Sequence, residues 1–565
     1  MWATVTAKTL AWLEAFRLLA INHPLEGGVY LSAMAVFAAV AVVQIVRGRA
    51  GQAFWAIVAC ILASIVFSAG EDLGHHVYRI VAVQEQVRQG DLSLLLTDAR
   101  GEALPLFVFY SFIPYLPAIA LNLLGVSAHA ALKIVLMAEF LVMALGLWRV
   151  VALVAERGLA RNAGHLIAIL FVSANYVYGL WLSRMAFAEL SVYFLIPWIV
   201  VFLLRRDRIG VAALLFLQMA IHPVVFIQAF AAEILVAWAL SHESPVAMAR
   251  DAIVPVVAAL VASSPFWLPQ ILWKGQILGP EGLPIRFADT FLTWGQLFDR
   301  RSYYTVGVFL PFAVVVAIVA SRARLSGRAW LLVTAFAISL VVQTQTFRPL
   351  SQHIPTLSYS LFVYRLMLPA AFLGFGALLA AWRAPAVVRE WPLAAVALLA
   401  TLNLLVVLIG GAPATIALTV QPRGGDRDWY EGYSVGNSTW GKREFAPNYA
   451  TLANRCDVPA ADLQAITFEQ LTKGAVARTA YVAVPKAPVG LVHYLADGKP
   501  AEIGACRDNL VLGPLSPGAT VRSQEDAIGW LLWLRVGVLV LGAAALVAVG
   551  AIRRVNPVSL RRHNR

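Results

Sequence analysis

Long apolar runs separated by short polar connections dominate the chain. A helix needs about 20 apolar residues to cross the hydrocarbon of a bilayer. Runs of that order predict spanning helices at Val29–Val46, Phe54–Ala69, Ala128–Val150, His165–Leu182, Phe187–Leu204, Gly210–Ile221, Val224–Leu240, Ala252–Leu272, Val306–Ala320, Leu331–Thr346, Phe362–Trp382, Leu393–Gly411 and Trp530–Ile552. Two stretches depart from that pattern. "TAKTLAWLEAFRLLA" sets Lys8, Glu14 and Arg17 among leucines and alanines, which predicts an amphipathic helix at an interface. "ALPLFVFYSFIPYLPAIALNLLG" is apolar but cut by prolines, which predicts a broken helix along one interface rather than a span. A third pattern begins near residue 412. There, turns rich in Gly, Pro and Asn separate the short β-like runs "TAYVAVP", "GLVHYLA" and "NLVLGPL".

The fold class is therefore an all-α polytopic membrane protein of about thirteen transmembrane helices with a small β-rich extracytoplasmic domain. Its expected parts are an interfacial segment 1–27, a transmembrane domain 28–411 with a large loop at 70–127, a β-rich domain 412–529, and a last helix with a basic tail, 530–565. Composition agrees: 60% of residues are hydrophobic and only 13% charged, which excludes an ordinary soluble domain. The net charge of +13 collects in short connections such as "RGRAG", "RRDR", "SRARLSGR" and "RAPAVVRE", and in the tail "RRVNPVSLRRHNR". Basic connections mark the cytoplasmic side, so the charge is read as topology and nucleic acid is not an expected partner. On this rule the C-terminus is cytoplasmic, and the 70–127, 273–305 and 412–529 segments face outward. The expected location is a bacterial inner membrane or its equivalent, with the site on the periplasmic side. Cys60 lies in an apolar helix. Cys456 and Cys506 lie in the outward β-rich region, where an oxidising compartment lets them pair as a disulfide.

Titratable residues gather at the outward ends of the predicted spans. "SAGEDLGHHVYR" follows an apolar run directly. On a helix, Asp72, His75 or His76, and Arg79 share one face, and Glu71 lies one turn before His75. Such groups are costly near hydrocarbon and point to a partner or a function. A carboxylate there suits a general base. A histidine or arginine beside it suits orientation of that base or binding of a phosphate. A solvated helix end laced with ion pairs accounts for the same residues. Arg184 and Glu189 in "WLSRMAFAELSVYF", His222 in "MAIHPVVF", Arg348 in "QTQTFRPLSQHIP", and Tyr364 and Arg365 in "SYSLFVYRLMLP" fall on the same side. Arg365, deep in an apolar run, calls for an anion or a buried acid, and pairing with Glu189 is one solution. No cofactor motif is present, and a divalent metal on this cluster stays open with its ligand number undefined.

The acidic pair after an early span, "HHVYRIVAVQEQVRQGDL", and the proline-broken segment before the next span together resemble the first outer loop of GT-C-type membrane glycosyltransferases. That resemblance implies a catalytic acid in this loop and a polyprenyl-phosphate-linked sugar as donor. Asp72 is its first candidate and Glu71 its second. A closer resemblance is to bacterial YfhO-like proteins and the membrane proteins called "6-pyruvoyl-tetrahydropterin synthase-related". It is carried by "HHVYRIVAVQEQVRQGD", "IHP", "LSQHIPTLSYSLFVYRLMLP" and "GKREFAP" in that order. The expected partners are the lipid-linked sugar, a cell-envelope lipid, glycan or protein acceptor, and membrane lipids. His75, His76, Arg79, Arg184, Glu189, His222, Arg348, Tyr364 and Arg365 are the expected substrate-binding set. Trp429, Tyr430 and Trp440 are further candidates for stacking on sugar rings. The alternative readings are a transporter, flippase or polymer-handling protein for lipid-linked glycans, and a non-catalytic scaffold.

Overall fold

The computed structural model describes residues 24–67, 72–90, 93–97, 103–155, 159–274, 287–298, 305–321, 325–351, 353, 363–382, 399, 452–485, 492–507 and 509–555. Its helices include α1 (Pro24–Val46), α2 (Ala50–Phe67), α3 (Leu73–Gln89), α4 (Leu106–Phe109), α5 (Leu116–Leu123), α6 (Ala128–Val154), α7 (Leu159–Val172), α8 (Asn175–Gly179), α9 (Phe187–Tyr193), α10 (Ile196–Leu204), α11 (Arg208–Ile221), α12 (Pro223–Leu240), α13 (Pro245–Ala262), α14 (Ser264–Leu272), α15 (Phe309–Ser321), α16 (Gly327–Val341), α17 (Met367–Trp382) and α18 (Asp526–Val555). Among the described residues six helices are long and apolar enough to cross a membrane, and counting the bent pair over residues 160–182 as one span gives seven, against the thirteen or so expected. Each expected span except 393–411 falls on one helix or on consecutive ones; of that stretch only Leu399 is described, and the 1–23 segment and Trp429, Tyr430 and Trp440 lie outside the described residues. The proline-rich stretch is broken as its prolines require: α4, a 3-10 turn at Ile113–Tyr115, and α5.

The bundle is built around α17, every side chain of which is buried except the half-buried Ala380. α12 and α16 pack on it, and Gly376 lets α12 approach so closely that a Cβ there would meet a Val236 methyl at 2.7 Å. The two ends of the bundle differ in charge. At one end, Arg206 in the turn after α10 pairs with Glu243 before α13, and Arg208 at the start of α11 pairs with Asp251 in α13. Arg328, at the start of α16, donates to the Ser241 carbonyl and, at 2.7 Å, to that of Glu243. Asn162 bonds the Gly48 carbonyl at 2.7 Å, which brings "RGRAG" beside the start of α7. The basic connections therefore meet their partners at this end. α11 runs from Arg208 here to Ile221 at the other end, where His222 turns the chain into α12.

The C-terminal region forms two small sheets, as its alternating runs predict. The strands are β1 (Leu96–Thr97), β2 (Ala103–Leu104), β3 (Ala453–Asn454), β4 (Leu463–Ala465), β5 (Ala475–Val476), β6 (Tyr481–Pro485), β7 (His493–Ala496), β8 (Lys499–Pro500), β9 (Ile503–Cys506), β10 (Asn509–Leu512) and β11 (Thr520–Gln524). One sheet runs β3-β9-β10-β6-β4 and the other β5-β11-β7-β8, while β1 and β2 form a separate hairpin before α4. Val482, Val484, Leu510, Leu512 and Val521 form the core between them. A disulfide joins Cys456 to Cys506, 50 residues apart, with Cα atoms 4.7 Å apart. Closing a loop of that length restricts the unfolded chain by roughly 4 kcal/mol in the chain-entropy description. Serine at both positions is therefore expected to lower the unfolding free energy of this region by about 3–4 kcal/mol. Limited proteolysis across a urea series reads that loss, and an unchanged midpoint contradicts it.

Candidate active site

At the end of the bundle opposite the basic turns, α3, α9, α12 and α17 all begin. α3 is amphipathic, with Leu73, His76, Val77 and Ile80 buried at helical spacing, and Gly90 in the left-handed conformation closes it by bonding the Gln86 and Val87 carbonyls. Asp72 occupies its N-cap position but makes no capping bond. Its carboxylate turns instead to Arg184, whose Nε lies 3.2 Å from Oδ2, and its amide donates to the Arg184 carbonyl at 2.9 Å. The Asp72 side chain stays 30% exposed, against 2% for Glu189.

Arg184 is aimed by local geometry. Residues Leu180–Arg184 form a π-turn, closed by the Met185 amide on the Leu180 carbonyl at 2.8 Å, and Met185 itself sits at φ 51°. A buried non-glycine residue in the left-handed region is strained, and π-turns recur at functional sites. The turn delivers the guanidinium to Glu189, which it grips with both terminal nitrogens at 2.9 and 3.1 Å. Arg365, in the 3-10 turn Val363–Leu366 ahead of α17, adds a third bond to Glu189 at 2.7 Å. The Tyr364 ring lies 5.4 Å from the Arg184 guanidinium, and Tyr193 donates to the Arg365 carbonyl at 3.1 Å. Glu189 is only 2% exposed. Arg184 and Arg365, both in the expected substrate-binding set, are thus engaged by one buried acid, which is the pairing solution for Arg365.

A second set of contacts centres on Tyr115, a residue missed by the sequence reading. The Phe187 amide donates to His76 Nε2 at 3.1 Å, which leaves the proton on Nδ1, and Nδ1 donates to the Tyr115 hydroxyl at 2.7 Å. Arg79 donates to the same hydroxyl, and its guanidinium stacks 4.4 Å over the Tyr110 ring. No carboxylate is paired with Arg79 among the described residues; two phenols hold it. Tyr110 meets His222 edge-on at 5.5 Å. His222 is buried, lies within electrostatic reach of Arg365 and Glu189, and its Nε2 has no hydrogen-bond partner among the described residues.

Asp72, His75, His76, Arg79, Arg184, Glu189, His222, Tyr364 and Arg365 are therefore brought together. Arg348 is not among them: half exposed, it pairs with Asp289 at 3.7 Å. Glu71 lies outside the described residues. Among the described residues, Arg184 and Arg365 share the carboxylates of Asp72 and Glu189, and Arg79 lies beside them on its two phenols. Among the described residues no group of three His, Cys, Asp or Glu side chains is placed to hold a metal ion.

Burial pushes His75 from its ordinary 6.5 down to about 4, against an opposing pull from Asp72 and with a further push from Arg79. Burial likewise holds His76 well below its usual range. A depressed histidine contributes stability that is fully present above 6.5 and is lost as pH falls toward 4, because the unfolded chain takes up the proton first. Thermal midpoints are expected to drop across that interval, and to drop less in His75→Gln. Equal slopes for the two proteins contradict the assignment.

No family model matches the chain and no curated protein does, so the finer resemblance to YfhO-like proteins has no counterpart there. The backbone is similar to a solved structure, the arabinofuranosyltransferase AftD from mycobacteria, determined by single-particle cryo-EM. Identity is 16% and the TM-score 0.40, over 86% of this chain and 40% of that one. The chain thus spans well under half the length of that enzyme.

Proposed function

We propose that this chain is a membrane glycosyltransferase that moves a sugar from a polyprenyl-phosphate donor to a cell-envelope acceptor, with Asp72 as general base. The observation that carries the reading is the contrast between the two carboxylates. Glu189 is buried and held by two arginines, while Asp72 is partly exposed and oriented by Arg184. A base must reach the proton it takes, and only Asp72 of the pair is open to a substrate hydroxyl. In the reaction, the acceptor oxygen attacks the anomeric carbon as Asp72 takes its proton. The bond from that carbon to the phosphate oxygen breaks, its electron pair leaves with the polyprenyl phosphate, and a single displacement inverts the centre.

Charge develops on the leaving phosphate, and Arg79 is the cluster's guanidinium held by phenols rather than by an acid. Fixed cations at such a position stabilise the transition state without reorganising. His222 Nε2, buried and without a partner among the described residues, suits a hydroxyl of the donor. The opposition of this cluster to the basic turns supports an outward-facing site in a bacterial inner membrane, with the C-terminus in the cytoplasm.

Transfer of radiolabelled sugar from a panel of polyprenyl phosphates to envelope acceptors in proteoliposomes tests the reading. The expected result is covalent product made without nucleotide sugar. A second reading, transport of lipid-linked glycans, is favoured by Glu139 and Glu233, both buried within the spans and bonded to Ser191 and Gln218. Label that crosses the bilayer on its lipid, without transfer, selects that reading.

A further inference from the structure

Arg535 lies in α18, a helix otherwise largely turned away from the bundle, and is 1% exposed. A guanidinium inside an apolar helix is costly unless its partners are specific. Its partners are three carbonyls that their own helices leave without donors. Nε bonds the Pro265 carbonyl at 2.8 Å. In α14 that carbonyl would take its bond from the amide four residues on, but residue 269 is proline and has none. One terminal nitrogen bonds the Phe107 carbonyl and the other the Val108 carbonyl, at 3.1 Å. Both belong to the last turn of α4, where the chain turns extended at Tyr110 and supplies no further amide. The Phe266 ring covers the guanidinium at 5.2 Å.

Tyr110, two residues beyond Val108, is the ring on which Arg79 stacks and against which His222 packs. A second tie runs beside the first: Ser93 donates to Glu525 at 2.8 Å, one residue before α18 and one after β11. The stretch from Glu525 to Arg535 is therefore fastened twice to the connection between α3 and α5, the part of the chain that carries Tyr110.

We infer that Arg535 is a positioning residue: it holds α4 so that Tyr110 keeps Arg79 in place for an anionic donor, and it links the last helix and the β-rich region to the site. The kinetic arm of this inference rests on the glycosyltransferase reading; the structural arm does not. Arg535→Gln removes the charge and at least one of the three bonds. Arg535→Lys keeps the charge on a single point donor.

Hydrogen exchange on the full-length protein in nanodiscs is expected to rise roughly tenfold in Arg535→Gln over residues 106–115, the loss of about one buried hydrogen bond, and to stay unchanged in α17. In the transfer assay the donor KM is expected to rise by a similar factor while the acceptor KM holds. Arg535→Lys falls between the two, and it serves as the test variant should the glutamine protein not fold. Unchanged exchange over 106–115 overturns the inference. Exchange that rises everywhere, or a lower kcat with both KM values intact, reduces Arg535 to a general stabiliser and also overturns it. If the wild type transfers no sugar, the glycosyltransferase reading fails and the exchange result alone decides the coupling.

Discussion

Glu189→Ala is expected to destabilise the protein more than any other single change at the site. Its carboxylate accepts three hydrogen bonds from two guanidinium groups that are themselves buried. Removing one partner of a buried ion pair leaves the other charge desolvated and uncompensated, which costs about 3–5 kcal/mol. Here two cations lose their shared acid, and the partly exposed Asp72 neutralises only the nearer one. The alanine variant should melt well below the wild type in detergent and yield little folded protein. Replacing Arg365 by methionine in the same chain removes one stranded charge and should recover part of the loss. A double variant no better than the single, or a single variant as stable as the wild type, contradicts this account of the network.

Much of this network was legible as an inventory but not as a set of partners. Asp72, His76 and Arg79 stood out because titratable residues crowd the end of an apolar run, and helical spacing put them on one face. The Glu189–Arg365 pair was one of three open readings for a buried arginine, beside an anion and snorkelling to the interface, since no local spacing connects residues 176 positions apart. The π-turn before Met185 has no sequence signature, because its strain is sustained by surrounding packing rather than by glycine. Tyr115 looked like one more aromatic in "FIPYLP", and only the fold sets it between His76 and Arg79. Arg535 was hidden for the same reason, as its partners lie 270 and 428 residues away. Arg348 went the other way: a polar residue at a helix end on the expected side, it simply pairs with Asp289.

Asp72→Asn is the change with the largest expected effect on activity. The amide keeps the size of the side chain and can still accept from Arg184, but it cannot take a proton. Loss of a positioned general base lowers rates by roughly 10²–10⁴-fold. Stability should change little, because a partly exposed ion pair contributes only about 0–1 kcal/mol. Asp72 and Glu189 are thus expected to separate cleanly, one carboxylate serving turnover and the other the fold.

The most direct test is the initial rate of sugar transfer from polyprenyl phosphate by wild type and Asp72→Asn, in proteoliposomes matched for folded protein, with Glu71→Gln alongside. The account predicts transfer by the wild type and by Glu71→Gln, and a rate at least about a hundredfold lower for Asp72→Asn. Equal transfer by Asp72→Asn and wild type would contradict it.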